Sequence, residues 1–329
     1  MLEGRGRLAL TTSVDSTRKM KFSSENIGFF GPINGVVGYG PTKSSTIRIY
    51  NISTREVSPW IKSELPRNSD DEEKIIERTP YYEMGFDPAT KKHKVICIWR
   101  TSIYDFETSS FEYERVCEVL TVGDITWRRI ELPPFELHNE CYQRKHTIYL
   151  NGFIYFCTEN LMKLGEQGND KLVAFDVGAE KFRVITVPNF ILNQPRHVYL
   201  SIYLIELEGR LAILSRMNDY TAKLWVFDDA YGNNKEMNSS TSNSSDQHWT
   251  EVTIELPYLW SDDREVSFHS VAGTELIVIE SLEKQFIFTR HLYNWKTKSC
   301  KEIDINGRFK YYPLISTVST LVESLLHVR

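Results

Sequence analysis

VYLSIYLIELEGRLAILSRMNDYTAKLWVFD, residues 198–228, holds the pattern from which the fold follows. Residues 198–207 alternate apolar and polar side chains, as a half-buried strand does. Glu208-Gly209 then reads as a two-residue hairpin turn, because Gly takes a positive φ without a Cβ clash. RLAILS is the second strand and KLWVFD (223–228) the third. WTEVTIEL (249–256), stopped by Pro257, supplies a fourth. Four strands in simple succession make a meander, and a meander repeated radially is the blade of a β-propeller.

The turn recurs along the chain as Asn34-Gly35, Asn151-Gly152, Glu208-Gly209 and Ala272-Gly273, each leading into an apolar strand. Gly152 to Gly209 is 57 positions and Gly209 to Gly273 is 64. Gly35 to Gly152 is 117, or two units of about 58. The third unit reads HTIYL, FIYFC, KLVAFD and FRVITV, and the fifth VSFHSV, LIVIE, QFIFTRHLYN and CKEIDI. The second reads YYEMGF, KVICIW, YERVCEVLTV and WRRIEL, and the first NIGFFGP, GVVGY, TIRIYN and VSPWI. Third strands end in an aromatic followed by Asn or Asp (Tyr50-Asn51, Phe175-Asp176, Phe227-Asp228, Tyr293-Asn294). An Asx side chain there closes the next turn by bonding backbone two residues on.

Five units are complete, and the ends supply halves of a sixth. RLALTTS (7–13) and RKMKFS (18–23) are two strands, and 308–328 are apolar strands without a following partner. Joining them removes both sheet edges. The expected fold is therefore all-β, a six-bladed β-propeller of four-stranded antiparallel blades closed by strands from both termini. In this reading residues 1–27 complete the last blade, 28–329 form the propeller, and 233–247 (NNKEMNSSTSNSSDQ) are a disordered insertion.

Composition narrows the function. Seventeen Tyr, seventeen Phe and seven Trp among 329 residues favour strands. A net charge of −5 with scattered Lys and Arg speaks against nucleic acid as a partner. No apolar run reaches the roughly 18 residues of a membrane span, so no membrane partner is expected either. Cys97, Cys117, Cys141, Cys157 and Cys300 are odd in number and lack a CxxC pair, which fits a reducing compartment, the cytoplasm or nucleus.

In such a blade the links from strand two to three and from blade to blade open on one face. Here they are long (61–80, 101–112, 133–145, 158–170, 188–197 and 257–264), whereas the opposite links are mostly short. Long connections in compact domains carry function. Tyr104, Phe106, Phe111, Tyr142 and Trp260 fall in them without strand alternation to explain them, and Arg100 and His138 lie nearby. Aromatic and Arg side chains dominate interaction hot spots. These seven residues are the candidate partner-binding set, with a target protein on the long-loop face. The alternative is that the rings fold back and cap the blades.

Chemistry is not legible. GYGPTKSS (38–45) lacks the Gly before Lys and the following helix that a phosphate loop needs. His138, Cys141 and His146 lack a fourth ligand and the paired spacing of a zinc site. No G-x-S-x-G elbow occurs. No catalytic residue, metal or cofactor is expected, and the alternative class is a hydrolase or lactonase-like six-bladed propeller enzyme.

Several segments resemble a known family. GPINGVVGYG with STIRIYNISTREVSPW (45–60), YYEMGFDPATKKHKVICI (81–98), TWRRIELPP (126–134), YLNGFIYF (149–156), FDVGAEKFRVITVP (175–188) and YPLISTVSTLVESL (312–325) are similar, in order, to plant F-box-associated domains. These are the kelch-like propeller halves of F-box proteins; Kelch double glycines and Trp-Asp signatures are absent here. The resemblance implies a non-catalytic substrate receptor of an SCF-type cullin-RING ubiquitin ligase. It also implies an F-box ahead of the propeller. Residues 1–27 carry no such pattern, so a Skp-type adaptor and a cullin are expected partners only with an upstream F-box. Without one, the chain is a ligase-independent interaction scaffold.

Overall fold

The computed structural model describes residues 7–11, 17–21, 27–41, 45–63, 65, 70–71, 74–106, 108–134, 147–157, 171–192, 202–227, 249–257, 264–271, 273–283 and 288–303. Strands β1 (Arg7–Thr11) and β2 (Thr17–Lys21) come first. Blade 1 comprises β3 (Ile27–Ile33), β4 (Val36–Pro41), β5 (Thr46–Asn51) and β6 (Ile61–Lys62). Blade 2 has five strands: β7 (Asp70–Asp71), β8 (Lys74–Asp87), β9 (Lys92–Asp105), β10 (Ser110–Thr121) and β11 (Arg128–Ile130). Blade 3 is β12 (Thr147–Leu150), β13 (Phe153–Cys157), β14 (Lys171–Asp176) and β15 (Lys181–Thr186), followed by the short helix α1 (Asn189–Leu192). Blade 4 is β16 (Ile202–Leu207), β17 (Arg210–Arg216), β18 (Thr221–Phe227) and β19 (Trp249–Glu255). Blade 5 is β20 (Arg264–Ser270), β21 (Leu276–Glu283), β22 (Phe288–Asn294) and β23 (Ser299–Glu302). Consecutive strands are neighbours within each blade, and the pairings in blades 1, 2, 4 and 5, together with β12 with β13, are antiparallel.

Among the described residues the blades number five, which corrects the expectation of six. β1 and β2 pair with each other, from Arg7↔Lys21 to Thr11↔Thr17, as a separate two-stranded sheet. The stretch 308–328, expected to join them, lies outside the described residues, as does 233–247. The physical reason for the miscount is that strand formation is local and strand pairing is not. Two neighbouring terminal strands satisfy each other's ladder as a hairpin, and no sequence pattern pins them to a distant partner.

The turns obey the sequence. Asn34 and Gly35, Asn151 and Gly152, and Glu208 and Gly209 all have positive φ, between 45° and 88°. Two successive left-handed residues make the type I′ turn, whose twist matches the flanking strands. The Asx residues also act as expected: Asn51 Oδ1 accepts the Ser53 and Thr54 N–H groups, and Asn294 Oδ1 those of Lys296 and Thr297. Asp176 Oδ1 accepts the N–H of Ala179.

The chain divides into two compact units. Among the described residues the first holds blades 1 and 2 with the turn Asp176–Lys181, and the second the rest of blade 3 with blades 4 and 5. In the first, Phe30, Val36, Ile47 and Ile49 of blade 1 pack on Met84, Val95, Cys97, Trp99 and Leu120 of blade 2. Tyr82 stacks on Phe30 with centroids 5.5 Å apart. The Glu118 carboxylate is buried there and accepts from Ser63 Oγ at 2.7 Å and Trp99 Nε1 at 2.9 Å. Glu180 takes a bidentate bond from Arg128 and a 2.7 Å ion pair from Lys94.

In the second unit, blades 3 and 4 share one apolar cluster and blades 4 and 5 another. Inner strands are buried on both faces, as in β16, while last strands such as β19 and β23 are largely exposed. The turns are stapled together. Asn151 Nδ2 donates to the Gly209 carbonyl, and Glu208 N–H to that of Thr274. The Glu206 carboxylate, 5% exposed, accepts both Gly209 N–H and Gly273 N–H.

Two outcomes follow from these carboxylates. Glu206→Ala removes the buried carboxylate that accepts from two turn N–H groups and is expected to lower unfolding free energy by about 1.5–3 kcal/mol, measured by urea denaturation. Glu208→Ala, on the exposed side of the same turn, is expected to change the midpoint far less. Arg128 first, and then Lys94, holds the Glu180 carboxyl below the usual carboxylate range. Its contribution is therefore present above the unfolded-state pKa and lost as pH falls through the lower folded one. Glu180→Gln should be less stable than the parent at pH 7, and acid titration of both should close the gap.

Candidate protein-interaction site

Blade 2 departs from the others in length. β8 and β9 have 14 residues each and β10 has 12, whereas other blades use strands of two to eight. Pairing is continuous, from Asp87↔Lys92 to Lys74↔Asp105 and from Ser110↔Asp105 to Thr121↔Lys94. Residues 101–112, read from the sequence as a loop, are thus the outer half of a β-hairpin. Its turn is closed by Thr108 N–H on Asp105 Oδ1 and by left-handed Ser109.

The register sets which side chains share a face, because directly paired residues point the same way. Tyr104 pairs with Phe111, Ser102 with Tyr113 and Arg100 with Arg115. The Tyr104 ring lies 5.1 Å from Phe106, edge-on, and 4.8 Å from Phe111. Phe111 stacks on Tyr113 at 6.4 Å with an interplanar angle of 11°. The Arg100 guanidinium sits 4.9 Å from the Tyr113 centroid. Phe106, Phe111 and Tyr113 are 51%, 62% and 60% exposed.

Four of the seven sequence-derived candidates, Arg100, Tyr104, Phe106 and Phe111, therefore converge in one cluster. His138, Tyr142 and Trp260 lie outside the described residues. The reading missed Tyr113, which it placed inside a strand. The signal was the i, i+2 spacing of Phe111 and Tyr113, meaningful only once 110–121 is a single strand. These rings pack on one another and stay open to solvent, in contrast to buried Trp99 and Trp127 and the partly buried Tyr82 that packs on them.

The cluster offers apolar area, ring faces and a delocalised cation, which suit recognition. Nucleophilic chemistry has no foothold in it. The nearest thiols, Cys97 and Cys117, are buried. Burial first, and the Glu118 charge second, pushes Cys97 well up and Cys117 to about 12. Both stay protonated at neutral pH, when the thiolate is the reactive form. Among the described residues no three His, Cys, Asp or Glu side chains gather as metal ligands.

Comparison with known proteins points the same way. Residues 7–324 match the family described as F-box associated beta propeller domain. An F-box protein of Arabidopsis thaliana is 24% identical over 96% of this chain and 75% of its own length. An F-box/kelch-repeat protein of the same plant is 24% identical over 90% of this chain and 69% of its own. Two further Arabidopsis F-box relatives are matched over only 47% and 44% of their length, so this chain spans about half of each.

The exposure of the rings makes their removal harmless to the fold. Phe111→Ala and Tyr113→Ala are expected to leave unfolding free energy within about 0.5 kcal/mol of the parent. Trp99→Ala, which empties the buried site and takes from Glu118 one of its two donors, should cost about 3–5 kcal/mol. Urea denaturation of the three variants measures both.

Proposed function

This chain belongs to the F-box associated β-propeller domain family, and on that footing we propose that it is the non-catalytic substrate receptor of an SCF-type cullin-RING ubiquitin ligase, gripping a target protein for ubiquitination. The observation that carries the reading is the solvent-open cluster of Tyr104, Phe106, Phe111 and Tyr113 with Arg100 on blade 2. A family whose relatives carry an F-box name supplies the context. Ring clusters of this kind bury much area with few rotors to freeze, and so make anchors. The target contacts the cluster, and the adaptor and cullin are recruited through an F-box in the same polypeptide. The receptor works in the cytoplasm or nucleus, where its cysteines remain thiols.

Affinity capture from the source tissue tests it, with an F-box joined upstream of the chain in one arm and absent in the other. Both arms should retain the same target proteins, and only the first a Skp-type adaptor and a cullin. Phe111→Ala combined with Tyr113→Ala should lower target retention by about tenfold or more with adaptor recovery unchanged. A first arm without adaptor or cullin would refute the ligase role.

A further inference from the structure

β10 is half covered. On one side β9 pairs with all of Ser110–Thr121. On the other, β11 pairs only with Cys117, Glu118 and Val119. Among the described residues, no strand pairs with the outer side of Ser110–Glu114, which is exposed throughout. An edge of about 15 Å is thus left without a paired strand among the described residues, on a strand paired continuously along its other side. Such edges template the addition of another strand.

Side chains along the edge specify what would be added. Ser110 through Glu114 are all exposed. Phe111 and Tyr113 stand on one face, Glu112 and Glu114 on the other. Of the usual blunting devices the segment carries only the charges of Glu112 and Glu114: it has no Pro and no Lys, and the β9 register runs through it without a bulge. A second copy of the same edge is a poor occupant. Antiparallel self-pairing about Tyr113 would set Glu112 opposite Glu114 twice, and like charges directly opposite are destabilising. Basic residues at those two positions turn the same pairing into attraction, and apolar residues on the alternate positions cover the two rings.

We propose that the outer edge of β10, Ser110–Glu114, binds an extended segment of another protein by β-strand addition, the segment alternating basic with apolar side chains. This rests on the receptor reading and deepens it, by naming the form in which the target is held: a strand, recognised by backbone pairing, with the aromatic cluster reading one face and two carboxylates the other.

The probe is a fluorescein-labelled peptide of about nine residues alternating lysine and valine, titrated against the wild-type chain to about 1 mM and followed by anisotropy. Only every second amide of an added strand faces the edge. Two N-methylated versions, blocked in opposite frames, should therefore differ: one loses binding by about tenfold or more, and the other keeps it. The glutamate-for-lysine peptide should fail on the wild type and bind the Glu112→Lys, Glu114→Lys variant. Equal tolerance of both frames, or no saturable binding of the lysine peptide, overturns the proposal. The N-methyl arms use unaltered protein, so a misfolded variant cannot shield it. If the peptide fails but Phe111→Ala with Tyr113→Ala still lowers target retention, the edge is wrong and the receptor reading stands. If the peptide binds but those substitutions leave retention unchanged, the receptor reading fails by itself.

Discussion

Two consecutive residues in the left-handed conformation head blades 1, 3 and 4, and much of the rest is built on that constraint. A type I′ turn fixes how the first two strands pair, and pairing fixes which side chains face which neighbour, because a slip by one residue would exchange the faces. In the second unit the turns also hold one another. The Asn151 amide reaches Gly209, the Glu208 N–H reaches Thr274, and the Glu206 carboxylate bridges Gly209 and Gly273. Blades 1 and 2 have a counterpart in buried His93, whose Nε2 lies 2.9 Å from the Ile33 carbonyl. Backbone groups that would otherwise be orphaned at blade ends are satisfied by the next blade, so local turn geometry and blade-to-blade packing support each other.

Blade 2 shows where that regularity ends. The Glu118 carboxylate, held by Ser63 and Trp99, sits in the apolar layer between blades 1 and 2. Beyond Trp99 the three long strands continue with no buried aromatic side chain among the described residues, and exposed rings and carboxylates take over from Val95, Cys97 and Leu120. The outer sheet is kept in shape by its ladder and by its connection to a rigid base. An isolated two-stranded hairpin of this length would be marginal in water, and a third strand with a packed root removes that difficulty.

What the sequence made legible follows the range of the interactions involved. The left-handed turns, the Asx caps at Asn51, Asp176 and Asn294, and most strands were readable because neighbours a few residues apart decide them. The family was readable for the same reason, since its motifs are short blocks around those turns. The blade count was not, because pairing between the termini is long-range. Residues 101–112 were misread because Glu107-Thr108-Ser109-Ser110 looks like loop and hides the alternation of Phe111 and Tyr113 on either side of it. Four of the five cluster residues could thus be named from the sequence, while their geometry needed the register. The carboxylates at Glu118 and Glu206 left no sequence signal, since the partners of Glu118 are 19 and 55 residues away and the bond that ties Glu206 to the next blade, at Gly273, spans 67.

A hairpin whose outer half hangs beyond the core also separates two kinds of selection. The ladder that holds it is made of main chain, which nearly any strand-tolerant residue can supply, so substitutions at Phe111, Glu112, Tyr113 or Glu114 are nearly silent for folding. Substitutions at Trp99, Cys97 or Glu118, a few residues along the same strands, are not. Drift can therefore rewrite the tip through a long series of neutral steps while the root stays under purifying pressure. Duplicated genes sharing this architecture would diverge first in what they hold and last in how they fold.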